Sequence, residues 1–225
     1  RLARFGLAND MFFHYASSAS VYGDGSDGYS DDPEKLATFK PLNLYAESKW
    51  LFDKWIIGEK LLDRVVGFRY FNVYGPNEQH KAHMRSMVAK AYDQIQAGGR
   101  VKLFASSRPG YADGGEERDF VYVKDVSKVM GWFLQNPQKG GIFNIGTGEV
   151  RTFLDLVKAV FSALGKPEAI DFIPMPDSLK GQYQYYTRAE LERLRKAGCN
   201  VAFERMETSV ADYVRQHLSA PNPIY

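Results

Sequence analysis

Apolar and polar positions divide the chain into short apolar runs and longer amphipathic stretches. The run MFFHYASSASVYG (11–23) is aromatic and ends in small residues, which predicts a buried strand with Ser17 and Ser18 at its C-terminal edge. Residues 43–60 have a helical composition and open on an asparagine suited to capping, and residues 64–76 predict a second buried strand. Strand, helix and strand in this order predict a parallel crossover unit.

The same alternation continues to the C-terminus. Glycine pairs, prolines and cap-like threonine or glutamate residues mark the ends of the further elements. The predicted helices cover 84–97, 124–135, 152–164, 187–197 and 206–218, and the predicted strands cover 101–106, 141–148 and 169–176. This order favours an α/β fold with a parallel sheet.

Composition and charge exclude several classes of protein. Of the 225 residues, 44% are hydrophobic, which is ample for a packed core, and 29 basic against 27 acidic residues give a net charge of +2. No long block of like charges occurs, so neither nucleic acid nor a membrane is expected as a partner. The lone Cys199 rules out an internal disulfide framework, and the expected location is the reducing cytoplasm.

A metal site is not predicted either. The single cysteine and the four histidines show no recognisable zinc-ligand spacing; the histidines are His14, His80, His83 and His217.

Candidate chemistry first appears in the stretch NLYAESKW (43–50). One helical turn places Tyr45 and Lys49 on the same face, so a weak acid and a cation lie within reach of each other. A neighbouring ammonium favours the phenolate form of a tyrosine, as a catalytic base requires. Taken alone, the spacing also fits an ordinary pair of solvated neighbours.

A glycine-rich cofactor motif is absent from the sequence. Dinucleotide-binding folds begin with a strand, G-x-G-x-x-G and a helix. The stretches GDGSDG (23–28) and GTGEV (146–150) lack the required strand or spacing, and the chain starts at Arg1 rather than at methionine. Either the protein binds no dinucleotide, or the N-terminal cofactor half lies outside this chain.

Four stretches in a fixed order resemble a known family. They are similar to the extended short-chain dehydrogenase/reductase family of nucleotide-sugar epimerases and dehydratases, and the resemblance runs over essentially the whole chain. The stretches are SSASVYG (17–23), YAESK (45–49), FRYFNVYGPNEQHK (68–81) and RDFVYVKDV (118–126).

Two further details resemble the ADP-heptose 6-epimerase branch of that family. They are NEQHK (77–81) and LKGQYQYYTRAEL (179–191). The branch implies an NADP-dependent isomerase that oxidises C6 of the heptose to a ketone and returns hydride to invert it. Its substrate is ADP-heptose, a nucleotide-sugar precursor of the lipopolysaccharide core, and its members are homo-oligomers.

The family also implies a domain arrangement. The expected fold is a Rossmann-like doubly wound parallel sheet, incomplete at its N-terminus, with a smaller C-terminal α/β substrate domain. Residues 1–74 and 119–147 would form the remaining dinucleotide-binding domain, and residues 75–118 and 148–225 the substrate domain.

The resemblance assigns the acid/base and cofactor residues. Tyr45 would be the catalytic base and Ser18 would hydrogen-bond the reacting oxygen. Lys81 would be a second acid/base and would also contact the cofactor, together with Lys49 and Val73. The alternative for Lys81 is a solvated loop cation or a diphosphate contact.

The family pattern also supplies the residues expected to bind substrate. The amide of Asn72 suits a sugar hydroxyl or a phosphate oxygen, and the forked guanidinium of Arg118 suits a diphosphate unless it pairs with Glu117 or Asp119. The remaining expected contacts are His83, Phe104, Ala105, Ser106, Ser107 and Tyr183.

Three alternatives stay open. The same scaffold supports a UDP-sugar 4-epimerase or a nucleotide-sugar 4,6-dehydratase, although a dehydratase should carry an Asp-Glu pair soon after the two serines. Here that region reads GDGSDGYSDDPEK (23–35), which lacks the pair. The third alternative is a non-catalytic fragment, if the N-terminal cofactor half is truly absent.

Overall fold

The computed structural model describes residues 1–177 and 184–221. Its helices and strands alternate along the chain. In order they are α1 (Leu2–Ala8), β1 (Phe13–Ser18), α2 (Leu44–Gly58), β2 (Val65–Tyr70), β3 (Asn72–Tyr74), α3 (Met87–Gly98), β4 (Val101–Phe104), β5 (Glu117–Arg118), β6 (Phe120–Tyr122), α4 (Val123–Gln135), β7 (Gly141–Ile145), β8 (Arg151–Thr152), α5 (Phe153–Leu164), β9 (Ile170–Ile173), α6 (Glu192–Lys196) and α7 (Met206–Asp212).

A three-stranded parallel sheet, in the order β1, β2, β7, forms the centre of the described residues. Ser18 lies opposite Tyr70, and Tyr70 lies opposite Ile145, so the C-terminal ends of the three strands meet at one edge. Helix α2 makes the connection from β1 to β2. The predicted parallel crossover and the predicted Rossmann-like α/β class are therefore confirmed.

The predicted strand 64–76 is two strands. The Phe71 N–H donates to the Ile145 carbonyl of β7, whereas the Asn72 N–H donates to the Asp119 carbonyl. The chain therefore leaves the central sheet at Phe71 and continues as β3, which pairs in parallel with β6. This change of partner carries Asn72 away from the central sheet.

Two further strand pairs complete the described sheets. Strands β4 and β9 are parallel, with Val101 opposite Ile170. Strands β5 and β8 are antiparallel, with Arg118 opposite Arg151.

Two of the predicted helix caps are confirmed, whereas α6 and α7 begin without a side-chain cap hydrogen bond. The Asn43 side chain accepts a hydrogen bond from the Ala46 N–H at 2.9 Å, and so it caps α2. Thr152 caps α5 in a reciprocal capping box with Asp155. Both caps satisfy backbone donors that a helix leaves unpaired.

Several element boundaries differ from the prediction. Helix α1 was not predicted, and β1 ends at Ser18, where a short 3₁₀ turn (Ala19–Tyr22) begins. Strand β1 is also less buried than predicted, because it is an outer strand of the described sheet. Helix α3 begins only at Met87, after the 3₁₀ segment Gln79–Met84.

The predicted helix 187–197 is helical only over α6. The Thr187 N–H donates to the Glu117 carbonyl, and the Ala189 N–H donates to the Asp119 carboxylate. These two backbone N–H groups donate to a distant part of the chain, so they are not available for the hydrogen bonds of a helical turn. The last predicted helix, 206–218, is α-helical as α7 and then π-helical over Tyr213–Leu218.

The apolar side chains form separate clusters. One cluster joins β3 and β6 to helices α3, α5 and α7, and a second joins β2 and β7 to α4. The predicted division into two domains stays a prediction. In the part of the chain that the structure describes, no helix is long and apolar enough to cross a lipid bilayer.

Candidate active site

Adjacent serines at the end of β1 point in different directions, as alternate residues of a strand do. Ser17 is buried, and its hydroxyl donates to the Asp53 carboxylate at 3.0 Å. The Ser18 hydroxyl instead accepts from the Ser20 N–H at 3.2 Å and from the Ser20 hydroxyl at 2.9 Å. Ser18 thus caps the following turn at the open edge of the sheet.

Tyr45 and Lys49 lie in contact on helix α2. The Lys49 Nζ is 5.7 Å from the centre of the Tyr45 ring and donates to the Ala16 carbonyl of β1 at 3.0 Å. Tyr45 is 59% exposed and is therefore accessible from solvent. The predicted proximity of this pair is confirmed, and the bond to Ala16 holds it beside the strand end that carries Ser18.

The polar residues behind this pair are closed to solvent. Asp53 accepts hydrogen bonds from Tyr15 at 2.9 Å, from Ser17 and from Arg69 Nε at 2.8 Å, and both Asp53 and Arg69 are fully buried. Arg69 also donates to the Tyr22 hydroxyl at 3.1 Å. Sequence analysis did not find this buried cluster, because its members are spread over separate elements.

The buried network continues beyond Tyr22. The Tyr22 hydroxyl donates to the Asn144 side chain at 2.6 Å, and the Asn144 N–H donates to the Asp31 carboxylate at 2.9 Å. Burial raises the pKa of Asp31 to about 6, although the Asn144 N–H and the charge of Arg193 oppose that rise. The network joins the loop after β1 to strand β7.

A cavity of about 690 Å³, called the larger cavity below, opens next to β3. Its volume is within the range of ligand pockets. Its polar lining includes Glu78 and Glu116, and Oε1 of Glu116 is buried with no hydrogen-bond partner among the described residues. Its basic side chains are Lys81, Arg85, Lys90 and Lys102, and its aromatic ones are Phe71, Tyr74, Phe104, Phe120 and Phe153.

A smaller cavity of about 300 Å³ lies on the side of Ser20 and Asn43. Asn72, which is exposed on β3, lines both cavities. Arg118 lines the smaller one and donates to the Glu117 and Gln184 carbonyls, while its guanidinium carbon lies 5.5 Å from the Phe153 ring centre. The expected substrate residues Asn72 and Arg118 therefore meet at one cavity.

Lys81 lies in the 3₁₀ segment between β3 and α3 and lines the larger cavity. The next residue, Ala82, has φ 48° and ψ −118°, a conformation that favours glycine. Glu78, just before the segment, accepts bonds from the Ser86 N–H and hydroxyl, both at 2.6 Å. The loop that presents Lys81 is thus closed at its base.

The other predicted ligand contacts divide into two groups. Val73 and Phe104 line the larger cavity. The second group lines neither cavity and consists of His83, Ala105, Ser106 and Ser107. Tyr183 lies outside the described residues. Protein partners hold two of them in place, since the Ser106 N–H donates to Asp113 at 2.8 Å and Ser107 shares a hydrogen bond with Tyr185 at 2.8 Å.

The glycine turn after β7, residues 146–148, binds the carboxylate of Asp119. The Asp119 carboxylate accepts from the Thr147 N–H at 2.7 Å, the Gly148 N–H at 2.8 Å and the Ala189 N–H at 3.0 Å. Burial raises the pKa of Asp119, and these hydrogen bonds oppose that rise. This arrangement agrees with the prediction that GTGEV is not a phosphate loop.

Among the described residues, no group of three or more His, Cys, Asp or Glu side chains is placed to hold a metal ion.

A family model described as the NAD dependent epimerase/dehydratase family matches residues 1–146. The chain belongs to this family. Its parallel sheet and the open end of β1, with Ser18, Tyr45 and Lys49 around it, are therefore parts of an epimerase/dehydratase fold.

Two curated relatives have the same name. A protein of Nitratidesulfovibrio vulgaris strain DP4 named ADP-L-glycero-D-manno-heptose-6-epimerase is 53% identical over 211 residues, which cover 94% of this chain and 65% of the relative. A Fusobacterium nucleatum protein of the same name is 44% identical over 227 residues, which cover 97% of this chain and 68% of the relative. The chain thus spans about two thirds of the length of these relatives.

Solved structures give the same family. The Helicobacter pylori ADP-L-glycero-D-manno-heptose-6-epimerase has a TM-score of 0.77 at 28% identity, covering 96% of this chain and 62% of the solved one. The Thermus thermophilus UDP-glucose 4-epimerase, solved as a complex with NAD, has a TM-score of 0.68 at 26% identity. The match covers 90% of this chain and 63% of the solved one. Both similarities extend over most of this epimerase/dehydratase family member.

Proposed function

We propose that the protein is an NADP-dependent epimerase that inverts C6 of the heptose in ADP-glycero-manno-heptose. The observation that carries the proposal is the contact between Tyr45 and Lys49 at the open end of β1, where the Lys49 Nζ is 3.0 Å from the Ala16 carbonyl. The names of the relatives support the choice of substrate. The product would enter the assembly of the lipopolysaccharide core.

The cavity linings support a nucleotide-sugar as ligand. Four basic side chains around the larger cavity suit an anionic diphosphate, and its aromatic side chains suit a flat base. We assign Asn72 and Arg118 to the diphosphate, because both line the smaller cavity and Asn72 also lines the larger one. Phe104, on the wall of the larger cavity, is assigned to the base.

The first half of the reaction removes a proton and a hydride from the sugar. Tyr45 takes the proton of the hydroxyl on C6 as hydride leaves C6, and a ketone forms. The Lys49 ammonium lies 5.7 Å from the centre of the Tyr45 ring, so a positive charge stands beside the group that takes the proton. Ser18 hydrogen-bonds the reacting oxygen.

The second half returns hydride to the opposite face of the ketone. The new alkoxide then needs a proton from an acid on a different side of the substrate, and we assign that proton to Lys81 on the wall of the larger cavity. NADP supplies the reversible acceptance of hydride. No net oxidation occurs, because the hydride removed in the first half is the one returned.

The residues present fit the nicotinamide ribose end of such a cofactor. The Lys49 ammonium has three N–H donors and gives one to Ala16, so donors remain for ribose hydroxyls. Val73 and Lys81 are assigned to the same cofactor. The glycine turn at 146–148 already binds the Asp119 carboxylate, so we do not assign that turn to the cofactor diphosphate.

The test is epimer conversion in D₂O. The purified protein, supplied with NADP, is incubated with one C6 epimer of ADP-heptose, and both epimers are followed by proton NMR. We expect conversion to a mixture with hydrogen, not deuterium, retained at C6, because hydride transfer does not exchange with solvent. Absence of conversion, or deuterium at C6, would contradict the proposal.

A second candidate is a UDP-sugar 4-epimerase, favoured by the similarity to the Thermus thermophilus enzyme. UDP-glucose replaces ADP-heptose in the same assay, and conversion of UDP-glucose alone would select this candidate. A dehydratase receives less support, since acids after the two serines already have protein partners. Asp24, Asp31 and Asp32 accept hydrogen bonds from the N–H groups of Ser26, Asn144 and Glu34.

The alternative that the chain is a non-catalytic fragment can be tested without measuring turnover. The protein is denatured, and any released small molecule is analysed by fluorescence and mass spectrometry. Release of NADP supports a complete cofactor site, whereas a protein without dinucleotide that also fails to bind added NADP would be a fragment.

We also propose a cytoplasmic homo-oligomer with the two domains predicted from the sequence. Exposed apolar side chains of α2 suit an interface between subunits, since Leu44 is 84% and Leu51 is 51% exposed. Light scattering of the purified protein gives the subunit count, and a monomer would contradict this proposal.

A further inference from the structure

We propose that Glu78 is a positioning residue for Lys81, and that Tyr213 holds Glu78 in place. The inference rests on the proposed function, because it takes Lys81 as the second acid/base. Neither Glu78 nor Tyr213 was among the residues predicted from the sequence. Glu78 is 4% exposed and lies at the base of the segment that carries Lys81.

Three hydrogen bonds fix the Glu78 carboxylate. Oε2 accepts from the Ser86 N–H at 2.6 Å. Oε1 accepts from the Ser86 hydroxyl at 2.6 Å and from the Tyr213 hydroxyl at 2.9 Å. The first two bonds join the residue before the 3₁₀ segment to Ser86, two positions after its end, so the segment is a loop closed by one carboxylate.

The closing bonds also connect the loop to two helices. Ser86 caps α3, since its hydroxyl accepts from the Ala89 N–H at 3.4 Å. Tyr213 is fully buried in the π-helical turn that follows α7. The position of Lys81 is therefore tied to α3 and to the C-terminal helical segment.

The backbone next to Lys81 is strained. Ala82 has a positive φ of 48°, a conformation that is unfavourable for a residue other than glycine unless its surroundings hold it. Arg85 holds the Ala82 carbonyl through Nε at 3.1 Å and binds Asp93 at 2.5 Å. Loss of the Glu78 bonds would let the loop relax and move Lys81 away from the substrate.

The proposal makes a specific kinetic prediction for Glu78→Gln. The amide keeps the size of the side chain, but it has one acceptor oxygen where the carboxylate has two, so the three hydrogen bonds cannot all be kept as they are. A displacement of Lys81 by about 1 Å would lower kcat roughly 100-fold, while KM stays close to the wild-type value. Unchanged kcat in a folded Glu78→Gln protein would overturn the proposal.

Two tyrosine substitutions form a matched pair in case Glu78→Gln does not fold. Tyr213→Phe removes the bond to Glu78, and Tyr122→Phe removes a bond of 2.6 Å to Asp212 in the same C-terminal region. We expect similar losses of thermal stability from both. Only Tyr213→Phe should lower kcat, by about tenfold, and equal kcat values for the two variants would overturn the proposal.

Hydrogen exchange separates this inference from the proposed function. Amide exchange over residues 79–86 is measured without substrate in wild type, Tyr213→Phe and Tyr122→Phe. Faster exchange of this segment in Tyr213→Phe alone supports the positioning role even if the protein fails to epimerise ADP-heptose. Equal exchange in the two variants contradicts the positioning role whatever the activity.

Discussion

Helix α2 carries two polar clusters that contain the same kinds of residues. Towards the middle of the helix, Asp53 is fully buried and binds Tyr15, Ser17 and Arg69. About two turns earlier, Tyr45 is mostly exposed and contacts Lys49. Strand β1 is divided in the same way, because Ser17 belongs to the buried cluster and Ser18 lies at the open one.

The difference lies in how the donors and acceptors are used. The Asp53 carboxylate accepts three hydrogen bonds from protein side chains, which leaves little capacity for a ligand. Tyr45 and Lys49 retain hydrogen-bonding capacity and solvent access at the end of a parallel strand, where such sheets bind ligands. We therefore expect the buried cluster to determine stability and the open cluster to determine activity.

Asp53→Ala should have the largest effect on stability. It leaves the Arg69 guanidinium buried without its ion-pair partner, which costs about 3–5 kcal/mol of unfolding free energy. Chemical denaturation measures the loss. The control is Asp10→Ala, which breaks an exposed Arg–Asp pair of 3.3 Å and should cost less than about 1 kcal/mol. Equal losses in the two variants would contradict the assigned role of burial.

Asp31, at the far end of the buried network, should make stability depend on pH. Its pKa in the folded protein, about 6, lies above its ordinary value of 3.8, so the folded state binds the proton more tightly. This contribution is complete below the ordinary value and is lost as the pH rises through about 6. Asp31→Asn stays neutral and should not show this loss.

Denaturation of wild type and Asp31→Asn at a series of pH values checks the prediction. The unfolding free energy of wild type should fall relative to the variant by roughly 3 kcal/mol between pH 3 and pH 7. Parallel curves for the two proteins would show that the Asp31 carboxylate is as easily ionised in the folded protein as in the unfolded one.

The two adjacent serines give the smallest but best-matched test. Ser17→Ala should lower the unfolding free energy by about 1 kcal/mol, since it removes one buried hydrogen bond to Asp53. Ser18→Ala should lower kcat about tenfold, or about 1.4 kcal/mol in the barrier, and should also cost about 1 kcal/mol of stability through loss of the cap to the Ser20 N–H. Measuring kcat and denaturation on both proteins checks this, and a loss of kcat in Ser17→Ala equal to that in Ser18→Ala would contradict the comparison.

Local signals in the sequence were sufficient for much of the fold and for the open cluster. The parallel crossover and the Asn43 and Thr152 caps depend on residues close together in the chain. The Tyr45–Lys49 contact is likewise set by one helical turn. Each of these features could be predicted because its partners lie within one element or its immediate neighbours.

Features with distant partners could not be predicted in the same way. The break at Phe71 depends on the Ile145 and Asp119 carbonyls, which lie far along the chain. The Glu78 closure needs Tyr213, which is 135 positions away. Pattern and propensity do not encode such pairings, so the buried cluster and the shape of the Lys81 loop appeared only in the structure.

The most direct test of the central claim is Tyr45→Phe, measured for turnover of ADP-heptose and for thermal unfolding. Tyr70→Phe, which removes a hydroxyl bound to the Met130 sulfur at 3.3 Å, is the control. We expect Tyr45→Phe to lose turnover on the order of 10³-fold with an unchanged unfolding midpoint. Turnover of Tyr45→Phe equal to that of wild type and of Tyr70→Phe would contradict it.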